Sequence, residues 1–385
     1  MKKSGKNKKT DGDKKRPWFR RIISGLWWTL NIVMFVIHIM SAYGGHVRPE
    51  ASGFVSASSM AFPFVILATL ALLVVDLIFK RKTAIIPAAA IIATIKPILL
   101  ICPLNLSSSL SDEERSRSFT LMTYNVYNFL NKQGDYPNDT NPTISYILKE
   151  DPDIVALQEC EYLSYYKKAH VFTEQTDSLK ARYPYRHIGV TDGQSLLSKF
   201  PITFVNLGEI REGKSRLCAH RINIGDKSIV LVNLHLYSIQ LTDDDKGTYL
   251  NLTHGEARGN IRKAKANLMV KLSSALRCHA EECRQIRKAI DTLLSPDDNI
   301  IICGDLNDTP ASHAYLTLRG DDFDDAYANS AFGPTITYNE KRFFFRIDHV
   351  LYRGNIESRK ITRGNVRYSD HFPLTTTFTF AAEKK

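Results

Sequence analysis

Three long apolar stretches follow a short polar leader at the start of the chain. They run over about Ile22–Tyr43, Phe54–Phe79 and Ala84–Leu104. Each reaches the roughly 20 residues that a helix needs to cross the hydrocarbon core of a bilayer. The third is the weakest candidate, because it contains Lys96 and Pro97. The pattern predicts an N-terminal bundle of about three transmembrane helices.

Two alternatives to membrane spans are a cleaved signal peptide and buried helices of a water-soluble fold. The first apolar stretch is longer than the roughly 7–15 apolar residues of a signal peptide, and two further stretches follow it. Trp27 and Trp28 near its start suit a membrane–water interface, which amphipathic indoles prefer. We therefore favour the membrane interpretation.

From Ser118 onward the chain changes to short runs of β-branched and aromatic residues between Gly, Pro, Asn or Asp, a pattern typical of strands. Two segments have helical spacing instead, Asn141–Glu150 and Gly255–Leu294, and the second forms one helix or two. Strands in runs, with helices between and outside them, predict an α/β fold of two packed sheets flanked by helices. The predicted strands are Phe119–Val126, Asp153–Leu157, Ser195–Ser198, Ile202–Ile210, Leu217–Ile224, Ser228–Leu236, Asn299–Cys303, Ile347–Tyr352, Ile356–Thr362 and Leu374–Phe380.

The positive charge is concentrated at the membrane end. The net charge of the chain is +11. Residues 1–21 contain ten Lys and Arg against two Asp, and residues 22–104 contain five against two acidic residues, so residues 105–385 are formally neutral. This argues against a strong duplex-DNA binder, which carries a basic footprint on its folded domain. We divide the chain into a basic cytoplasmic leader (1–21), a membrane anchor (22–104), a linker (105–117) and a large domain (118–385).

The orientation in the membrane follows from the short loops, since cytoplasmic loops are rich in Lys and Arg. The leader is basic and the second loop is Lys80–Lys82, whereas the Gly44–Gly53 loop has only Arg48. Leader and second loop are therefore expected in the cytoplasm. Three crossings then place the large domain on the periplasmic or extracellular side. If the third stretch does not span, the domain is cytoplasmic.

The six cysteines do not suggest a zinc site or a disulfide framework, because no two are spaced C-x-x-C. Cys160 and Cys303 lie beside strand-like runs, which favours buried thiols. A bridge among the others stays open.

The residues able to do chemistry are acidic, amide and histidine side chains at the ends of strand-like runs. A strand end is where a rigid scaffold can aim a side chain into a cleft. Singly, each has a plain structural interpretation, such as a turn residue, a helix start or a core histidine. As a set they are costly to bury unless paired or bound to metal. They are Asn125 in T-Y-N-V, Glu159 in A-L-Q-E, His235 in V-N-L-H-L, Asp305 and Asn307 in C-G-D-L-N-D-T-P, Asp348 in R-I-D-H-V, and Asp370 and His371 in S-D-H-F-P.

With Q-E, G-D-L-N and S-D-H in this order, the chain resembles the endonuclease/exonuclease/phosphatase superfamily. That superfamily includes DNase I-like nucleases, neutral sphingomyelinases and inositol-polyphosphate phosphatases. The resemblance covers roughly Ser118–Phe380, and G-D-L-N-D-T-P with R-I-D-H-V is similar to bacterial members that carry a membrane anchor. It implies a four-layered α/β sandwich and a divalent-metal-dependent hydrolase of phosphate esters. Mg²⁺ is the expected cofactor, with Mn²⁺ as the alternative.

The resemblance also implies a role for each matching residue. Glu159 would be the principal Mg²⁺ ligand, with Asn125 and Asp370 at or beside the metal. Few protein carboxylates and several waters are how Mg²⁺ usually serves a phosphate site. Asp305 would orient or deprotonate the attacking water, and Asn307 would hold a phosphate oxygen. His371, oriented by Asp348, would stabilise charge in the transition state or transfer a proton. His235 would hydrogen-bond the phosphate or assist the leaving group.

One position departs from the family pattern. Many nucleases of the family have an acidic residue two positions after the first-motif Asn, and this chain has Tyr127. The change favours a one-metal site. Tyr124 and Tyr127 are expected to be core or rim aromatics.

The sequence leaves the substrate open between nucleic acid and an anionic lipid headgroup. The protein would be a nuclease-like phosphodiesterase in the first case and a lipid-headgroup phosphodiesterase or phosphatase in the second. A non-catalytic membrane binding module is a third hypothesis, which the chemically competent residues disfavour. The long helical segment has basic residues that form either a solvated face or a basic wall near the cleft. These are Arg258, Arg262, Lys265, Lys271, Arg277, Arg284, Arg287 and Lys288. We expect an integral protein of a bacterial cytoplasmic membrane, with the lipid bilayer and the phosphate ester as partners and no obligate protein partner.

Overall fold

The structure, a computed structural model, describes most of the chain beyond the leader. Of the leader (residues 1–21), residues 1–17 lie outside the described part. The residues described are 18–106, 109–134, 136, 140–161, 173–189, 193–208, 216–239, 261–340 and 343–382.

Helices dominate the first hundred residues, and strands dominate the rest. The helices are α1 (Trp18–Tyr43), α2 (Gly53–Ser58), α3 (Phe62–Ile78), α4 (Ile85–Ala93), α5 (Ile95–Ile101), α6 (Asp112–Ser116), α7 (Pro142–Glu150), α8 (Thr173–Arg182), α9 (Ile261–Leu293), α10 (His313–Arg319) and α11 (Ala326–Ser330). The strands are β1 (Ser118–Asn125), β2 (Ile154–Gln158), β3 (Tyr185–Ile188), β4 (Ser195–Ser198), β5 (Ile202–Phe204), β6 (Arg216–Ile224), β7 (Lys227–His235), β8 (Ile300–Asp305), β9 (Asp324–Asp325), β10 (Tyr338–Glu340), β11 (Phe343–Phe345), β12 (Asp348–Arg353), β13 (Ile356–Arg363) and β14 (Leu374–Phe380).

The strands form two six-stranded mixed sheets and a hairpin. The first sheet has the order β13-β14-β1-β2-β4-β3, and the second has the order β5-β6-β7-β8-β12-β9. Each sheet has one parallel pair near its centre, β1 with β2 and β7 with β8, and its other neighbours are antiparallel. The short hairpin pairs β10 with β11. The predicted fold of two packed mixed sheets flanked by helices is confirmed.

The period-2 alternation of the strands explains why both faces of each sheet are buried. In β1, Leu121 packs in the cluster between the two sheets, while its neighbour Met122 packs on the other face with Ile144 of α7. In β8, Ile301 faces the inter-sheet core, while Ile302 packs against α9 and α10. The result is four layers, helix, sheet, sheet and helix, with the central strand ends fixed between them.

The first hundred residues contain helices that suit a bilayer. Two helical stretches, Trp18–His46 and Gly53–Ile78, are long and apolar enough to span a membrane. A third span results only if α4 and α5, which meet at an angle of 66°, count as one bent segment. The break falls at Thr94, just before the Pro97 turn, because proline disrupts the preceding helical hydrogen bonding. The uncertain third stretch of the sequence is thus a bent helix pair.

One end of this helical bundle packs on the sheet domain. His313 Nδ1 lies 2.8 Å from the carbonyl oxygen of Gly45, in the loop after α1. A Cβ added to Gly45 would lie 1.9 Å from the Ala311 carbonyl oxygen, so only glycine allows this close approach. At the end of α5, the Arg346 guanidinium donates to the Leu100 carbonyl oxygen (3.0 Å) and pairs with buried Asp325. The loop between α1 and α3 and the end of α5 therefore lie on the domain side.

The differences from the sequence prediction are local. The strand predicted over Ile202–Ile210 ends at Phe204, and residues 209–215 lie outside the described part. The segment predicted from Gly255 is a single helix from Ile261, and its beginning also lies outside. The short strands β3, β9, β10 and β11 and the helices α6, α8, α10 and α11 were not predicted, because these short segments lack a clear apolar pattern in the sequence. All six cysteines are free thiols, and Cys160 and Cys303 are buried as expected.

Candidate active site

The strand ends that carry the predicted site residues meet at one edge of the two sheets. In the second sheet, His235 at the end of β7 lies in register with Asp305 at the end of β8, and Asp305 lies in register with Asp348 at the start of β12. In the first sheet, Asn125 ends β1, and Glu159 directly follows β2. Because the carboxyl ends of both parallel pairs point to the same edge, residues more than a hundred positions apart share one cavity.

Asn125 connects the two sheets. Its side-chain amide donates to the Glu159 Oε1 at 3.1 Å and to the Asp305 Oδ2 at 3.0 Å. Its Oδ1 accepts from the backbone N–H of Tyr127 at 3.2 Å, which fixes the direction of the amide. One short polar side chain thus holds two carboxylates, from different sheets, close together.

Glu159 has a left-handed backbone conformation, with φ of 49°. A residue with a Cβ adopts this region at a cost, and such residues concentrate at functional sites. The turn aims the carboxylate into the cavity, where 30% of the side chain stays exposed. Burial raises the pKa of Glu159, and the hydrogen bond from Asn125 lowers it only partly. The negative charge of Glu159 is therefore costly without a nearby cation.

His371 is a buried histidine next to Asp305 and lies close to two carboxylates. His371 Nδ1 lies 2.8 Å from the Asp348 Oδ2, and its Nε2 lies 3.5 Å from the Asp305 Oδ2. Burial by itself lowers the pKa of His371, but the carboxylates of Asp348 and Asp305 outweigh it and raise the pKa to about 10. Near neutral pH this ring is an imidazolium that donates from both nitrogens.

Asp305 lies at the centre of the site. Besides Asn125 and His371, it accepts from the backbone N–H of Asn307 at 2.8 Å, and its Oδ2 lies 3.6 Å from the His235 Nε2. Burial raises the pKa of the Asp305 carboxyl, and the nearby His371 imidazolium offsets part of that rise. A carboxylate with a raised pKa, held at both oxygens, is suited to accept a proton.

His235, in contrast to His371, is neutral near pH 7. Burial lowers its pKa further than the nearby Asp305 raises it, so its ring carries one N–H near pH 7. Its Nε2 lies 3.7 Å from the Glu159 Oε1. The side chain is well placed to hydrogen-bond an oxygen bound between Glu159 and Asp305.

The G-D-L-N segment has a steric reason for its glycine. A Cβ on Gly304 would lie 1.9 Å from the Leu234 carbonyl oxygen, and its φ is 131°. Glycine therefore lets β8 approach β7 closely just before Asp305. Asn307 follows in a left-handed conformation (φ 49°) and donates one amide hydrogen to the Leu236 carbonyl oxygen at 3.0 Å, so its second hydrogen is left for the cavity it lines.

Asp370 lines the same cavity with 14% of its side chain exposed. Its Oδ2 lies 3.7 Å from the Lys132 Nζ. Ser369 donates to the Asn125 carbonyl oxygen at 2.8 Å and accepts from the His371 backbone N–H at 3.1 Å, so the S-D-H turn is tied directly to the end of β1. The eight predicted site residues are thereby brought to one cavity or its immediate wall.

The donors fit a hard divalent cation. Glu159 and Asp370 offer partly exposed carboxylate oxygens, which Mg²⁺ prefers. Asp305, Asp348 and His371 also form a compact group, with ligand atoms within 4.8 Å of one another. The two carboxylates raise the pKa of its histidine and so favour the imidazolium form, which has no free lone pair for a metal. Glu159 and Asp370 are the carboxylates that stay partly exposed to the cavity.

The family comparison agrees with this architecture. Residues 122–371 match the model of the endonuclease/exonuclease/phosphatase family, which covers more than half of the chain. The chain belongs to this family, whose members hydrolyse phosphate esters and generally use divalent metals. Residues 20–100 match a second family, described as a domain of unknown function (DUF8431). No curated protein sequence matches the chain significantly.

Solved structures with a similar fold come from distant relatives. An endonuclease/exonuclease/phosphatase from Beutenbergia cavernae is 19% identical, with a TM-score of 0.46 over 69% of this chain and 72% of that one. TDP2 from D. rerio, in complex with a single-stranded DNA product, is 17% identical, with a TM-score of 0.43 over 68% of this chain and 99% of that one. ANGEL2, a 2′,3′-cyclic phosphatase, is 13% identical, with a TM-score of 0.43 over 69% and 96%.

Two residues in or beside the cavity were not predicted. Tyr338 lies with its ring centroid 5.0 Å from that of His371, and Lys132 lies over the Tyr127 ring, 4.0 Å from its centroid. Tyr127 itself is half-buried at the rim, and Tyr124 is a core residue, as expected for both. Neither Tyr338 nor Lys132 ends a long strand, so no sequence signal marked them.

The predicted basic stripe of the long helix divides into different environments. Arg284 pairs with Glu50 and Glu281, and Arg287 pairs with Asp291 and Asp322. These two guanidinium groups are engaged in surface ion pairs away from the cavity lining. Arg258 lies outside the described residues, and so do the side chains of Arg262 and Lys265.

Replacing Asp348 by Asn should make activity depend on pH near neutrality. The change removes the stronger of the two charges that hold His371 protonated, so the pKa of His371 falls from about 10. If the imidazolium acts in the reaction, activity of the variant falls as pH rises through the lowered pKa, whereas the wild type keeps its activity to about pH 9. We expect kcat to drop by about 10²-fold at pH 8. A pH–rate profile from pH 6 to 9 is the measurement, and identical profile shapes for the two proteins would count against this role.

Proposed function

We propose that the chain is a membrane-anchored, divalent-metal-dependent hydrolase that cleaves phosphodiester or other phosphate ester bonds with water. The observation that carries the proposal is the contact of Asn125 with both Glu159 and Asp305 at the joined ends of the two sheets. Carboxylates from separate sheets are held together there, beside a protonated histidine and a neutral one. This is the arrangement that phosphoryl transfer needs for positioning and charge neutralisation.

In this proposal Glu159 is the principal ligand of Mg²⁺ or Mn²⁺, with Asn125 and Asp370 at or beside the ion. When bound, the cation polarises the phosphate and neutralises charge on its oxygens. Asn125 fixes the spacing between the ligand Glu159 and the central Asp305. The Lys132 ammonium beside Asp370 limits the net negative charge of this wall.

Asp305 orients the attacking water and accepts its proton. The second amide hydrogen of Asn307 holds a non-bridging phosphate oxygen, and neutral His235 donates to the phosphate or to the leaving oxygen. The imidazolium of His371, held by Asp348, stabilises negative charge as the P–O bond breaks. Each group thus acts from the position in which its backbone and hydrogen bonds already hold it.

The full-length protein in detergent micelles should hydrolyse bis-p-nitrophenyl phosphate with added Mg²⁺ or Mn²⁺. Excess EDTA should abolish the activity, and the metal should restore it. Asp177→Ala, at an exposed position of α8, serves as the matched control and should keep wild-type turnover. Absence of turnover with either metal, in a protein that is folded by circular dichroism, would support a non-catalytic binding module instead.

We also infer that the sheet domain faces away from the cytoplasmic leader. The Gly44–Gly53 loop contacts the domain through Gly45 and Glu50, whereas the basic Lys80–Lys82 loop lies at the opposite end of α3. With the bent α4–α5 pair as one span, the chain crosses three times. Positive charge is retained on the cytoplasmic side, which supports a periplasmic or extracellular domain in a bacterial cytoplasmic membrane.

Alkaline phosphatase fused after residue 50 and after residue 110 tests the inferred sidedness. Both fusions should be enzymatically active, because both points lie on the exported side. A fusion after residue 81, in the basic loop, should be inactive and serves as the control. Activity after residue 50 combined with inactivity after residue 110 would contradict the orientation.

A further inference from the structure

The catalytic cavity has a wall that comes from the membrane anchor. Its volume is about 420 Å³, and the polar side chains of the site lie on its floor. Ala57, Met60, Ala61 and Phe64, from α2, α3 and the turn between them, line one side. Phe345 faces them from the domain, and its ring lies 5.9 Å from that of Phe64, at right angles. A single cavity therefore joins a charged floor to an apolar wall.

The apolar wall continues along α3 into the bilayer region. Phe64 is the third residue of α3, which belongs to one of the two stretches long and apolar enough to span a membrane. From Phe64 onward, Leu67, Ala71, Val74 and Ile78 recur at intervals of three and four residues, and all are exposed. Such spacing places them on one face of the helix. An exposed apolar stripe thus leads from the cavity along the spanning helix.

This geometry also fixes the level of the site relative to the membrane. The cavity contacts the first turn of α3, at the end of this helix that is nearest the sheet domain. With α3 as the part of the stretch that crosses the membrane, this end lies where the hydrocarbon core gives way to headgroups. A phosphate at this level belongs to a headgroup, and a chain attached to that phosphate would lie along α3. The same cavity therefore contacts both the polar side chains of the site and the apolar side chains of the anchor.

The chemistry of the lining distinguishes between substrate classes. Among the residues that line this cavity in the described part of the chain, none is Lys or Arg; Lys132 and Arg367 line a separate, neighbouring cavity that shares Asp370 with it. A groove for a nucleic-acid strand follows the backbone with basic side chains and stacks bases on aromatic ones. Here Ala57, Met60 and Ala61 of the anchor stand opposite the site, beside the aromatic rings of Phe64, Phe345 and Tyr338. An amphipathic molecule matches both parts of the cavity.

Resting on the proposed hydrolase function, we propose that the substrate is a lipid of the surrounding bilayer with a phosphate ester in its headgroup. The lipid enters sideways along α3, so its chains never leave the apolar phase. In the reaction, the water oxygen bonds to phosphorus, one ester P–O bond breaks, and the released oxygen takes a proton. A diester gives an alcohol and a phosphate monoester, and a monoester gives an alcohol and inorganic phosphate; the product that retains the chains stays in the membrane.

The test compares lipid and soluble esters with full-length protein in mixed micelles. The lipid probes are dioleoyl phosphatidylglycerol, sphingomyelin and dioleoyl phosphatidic acid, which cover diesters and a monoester. The soluble probes are methyl p-nitrophenyl phosphate, glycerophosphoglycerol and a single-stranded oligonucleotide. Mass spectrometry of the products gives kcat/KM for each. We expect at least one lipid to be cleaved about 10²-fold more efficiently than every soluble ester, because remote binding energy lowers the barrier.

Variants of α3 separate lipid access from chemistry. Ala61→Trp fills the apolar wall and should lower kcat/KM for the lipid about 10-fold or more relative to kcat/KM for methyl p-nitrophenyl phosphate. Phe64→Ala, which removes part of the wall without adding bulk, should act in the same direction. Leu77→Trp adds the same indole at an exposed position that is not part of the cavity lining, and should change neither activity.

The possible outcomes distinguish the two proposals. Hydrolysis of the small soluble diester without cleavage of any lipid, or a preference for the oligonucleotide, would overturn the lipid proposal and leave the hydrolase function standing. Equal losses on lipid and soluble ester in both Ala61→Trp and Phe64→Ala would also overturn it. Absence of hydrolysis of every probe would overturn the hydrolase function itself.

Discussion

Asp305→Asn should lower kcat by about 10³-fold, within the range that loss of a general base produces. The amide keeps the volume of the carboxylate and can still accept from the Asn307 backbone N–H, so the position of the turn is preserved. It cannot accept a proton from water, and it leaves the His371 imidazolium with Asp348 alone. Steady-state hydrolysis of bis-p-nitrophenyl phosphate at saturating Mg²⁺ measures the effect, and KM should change much less than kcat.

The same substitution should not destabilise the protein. Burial raises the pKa of Asp305, which means that its charged form is less favourable in the folded chain than in the unfolded one. That penalty is present above the raised pKa and disappears as pH falls below the unfolded value, so replacing the charge near pH 7 removes it. The thermal midpoint of Asp305→Asn should therefore equal or exceed that of the wild type. A loss of activity accompanied by a large fall in the midpoint would point to misfolding instead.

Glu159→Gln should weaken metal binding and lower activity by about 10²-fold or more at low Mg²⁺. It removes the negative charge of the proposed principal ligand. The carbonyl oxygen of the glutamine can still accept the hydrogen bond from the Asn125 amide, and the side chain keeps almost the same shape. Raising the metal concentration should recover part of the activity, which a purely structural defect would not allow. A titration of rate against Mg²⁺ concentration gives the apparent affinity for both proteins.

A second readout for Glu159 does not depend on turnover. Metal that binds only the folded chain stabilises it by RT ln(1 + [L]/Kd), about 2.7 kcal/mol at a hundredfold excess over Kd. The wild-type thermal midpoint should therefore rise with Mg²⁺ or Mn²⁺, and that of Glu159→Gln should rise much less. Glu161→Gln is the matched control, because its carboxylate is already paired with Arg216. Equal rises in Glu159→Gln and wild type would contradict the ligand assignment.

Much of the catalytic floor could be predicted from sequence because strands end there. His235 directly follows V-N-L and Asp305 follows I-I-C-G, so both were expected at strand ends, and the carboxyl ends of neighbouring parallel strands lie together. The family motifs Q-E, G-D-L-N and S-D-H then indicated that Glu159, Asp305 and His371 belong to one site. The bonds that actually join the two sheets, from Asn125 to Glu159 and to Asp305, needed coordinates, because no local pattern sets the distance between separate sheets.

The anchor's part in the cavity could not be predicted in the same way. Met60 and Phe64 belong to an apolar run that the sequence assigns only to the bilayer, and Phe345 lies almost three hundred residues further on. Their meeting depends on how the Gly45 loop packs against Ala311, a long-range contact made possible by the absence of a side chain. Likewise, the short strands β10 and β11, which place Tyr338 and Phe345 at the cavity, are stabilised by pairing with each other. Their sequences have no apolar pattern from which these strands could be predicted.

The location of the bound cation tests the central claim most directly. Crystals of the protein with Mn²⁺, measured at the manganese absorption edge, give an anomalous difference map that places the ion without reference to activity. We predict one peak, about 2.1 Å from a Glu159 carboxylate oxygen and on the cavity side of Asn125. A peak centred among Asp305, Asp348 and His371 with none at Glu159, or no peak at the joined strand ends, would contradict it.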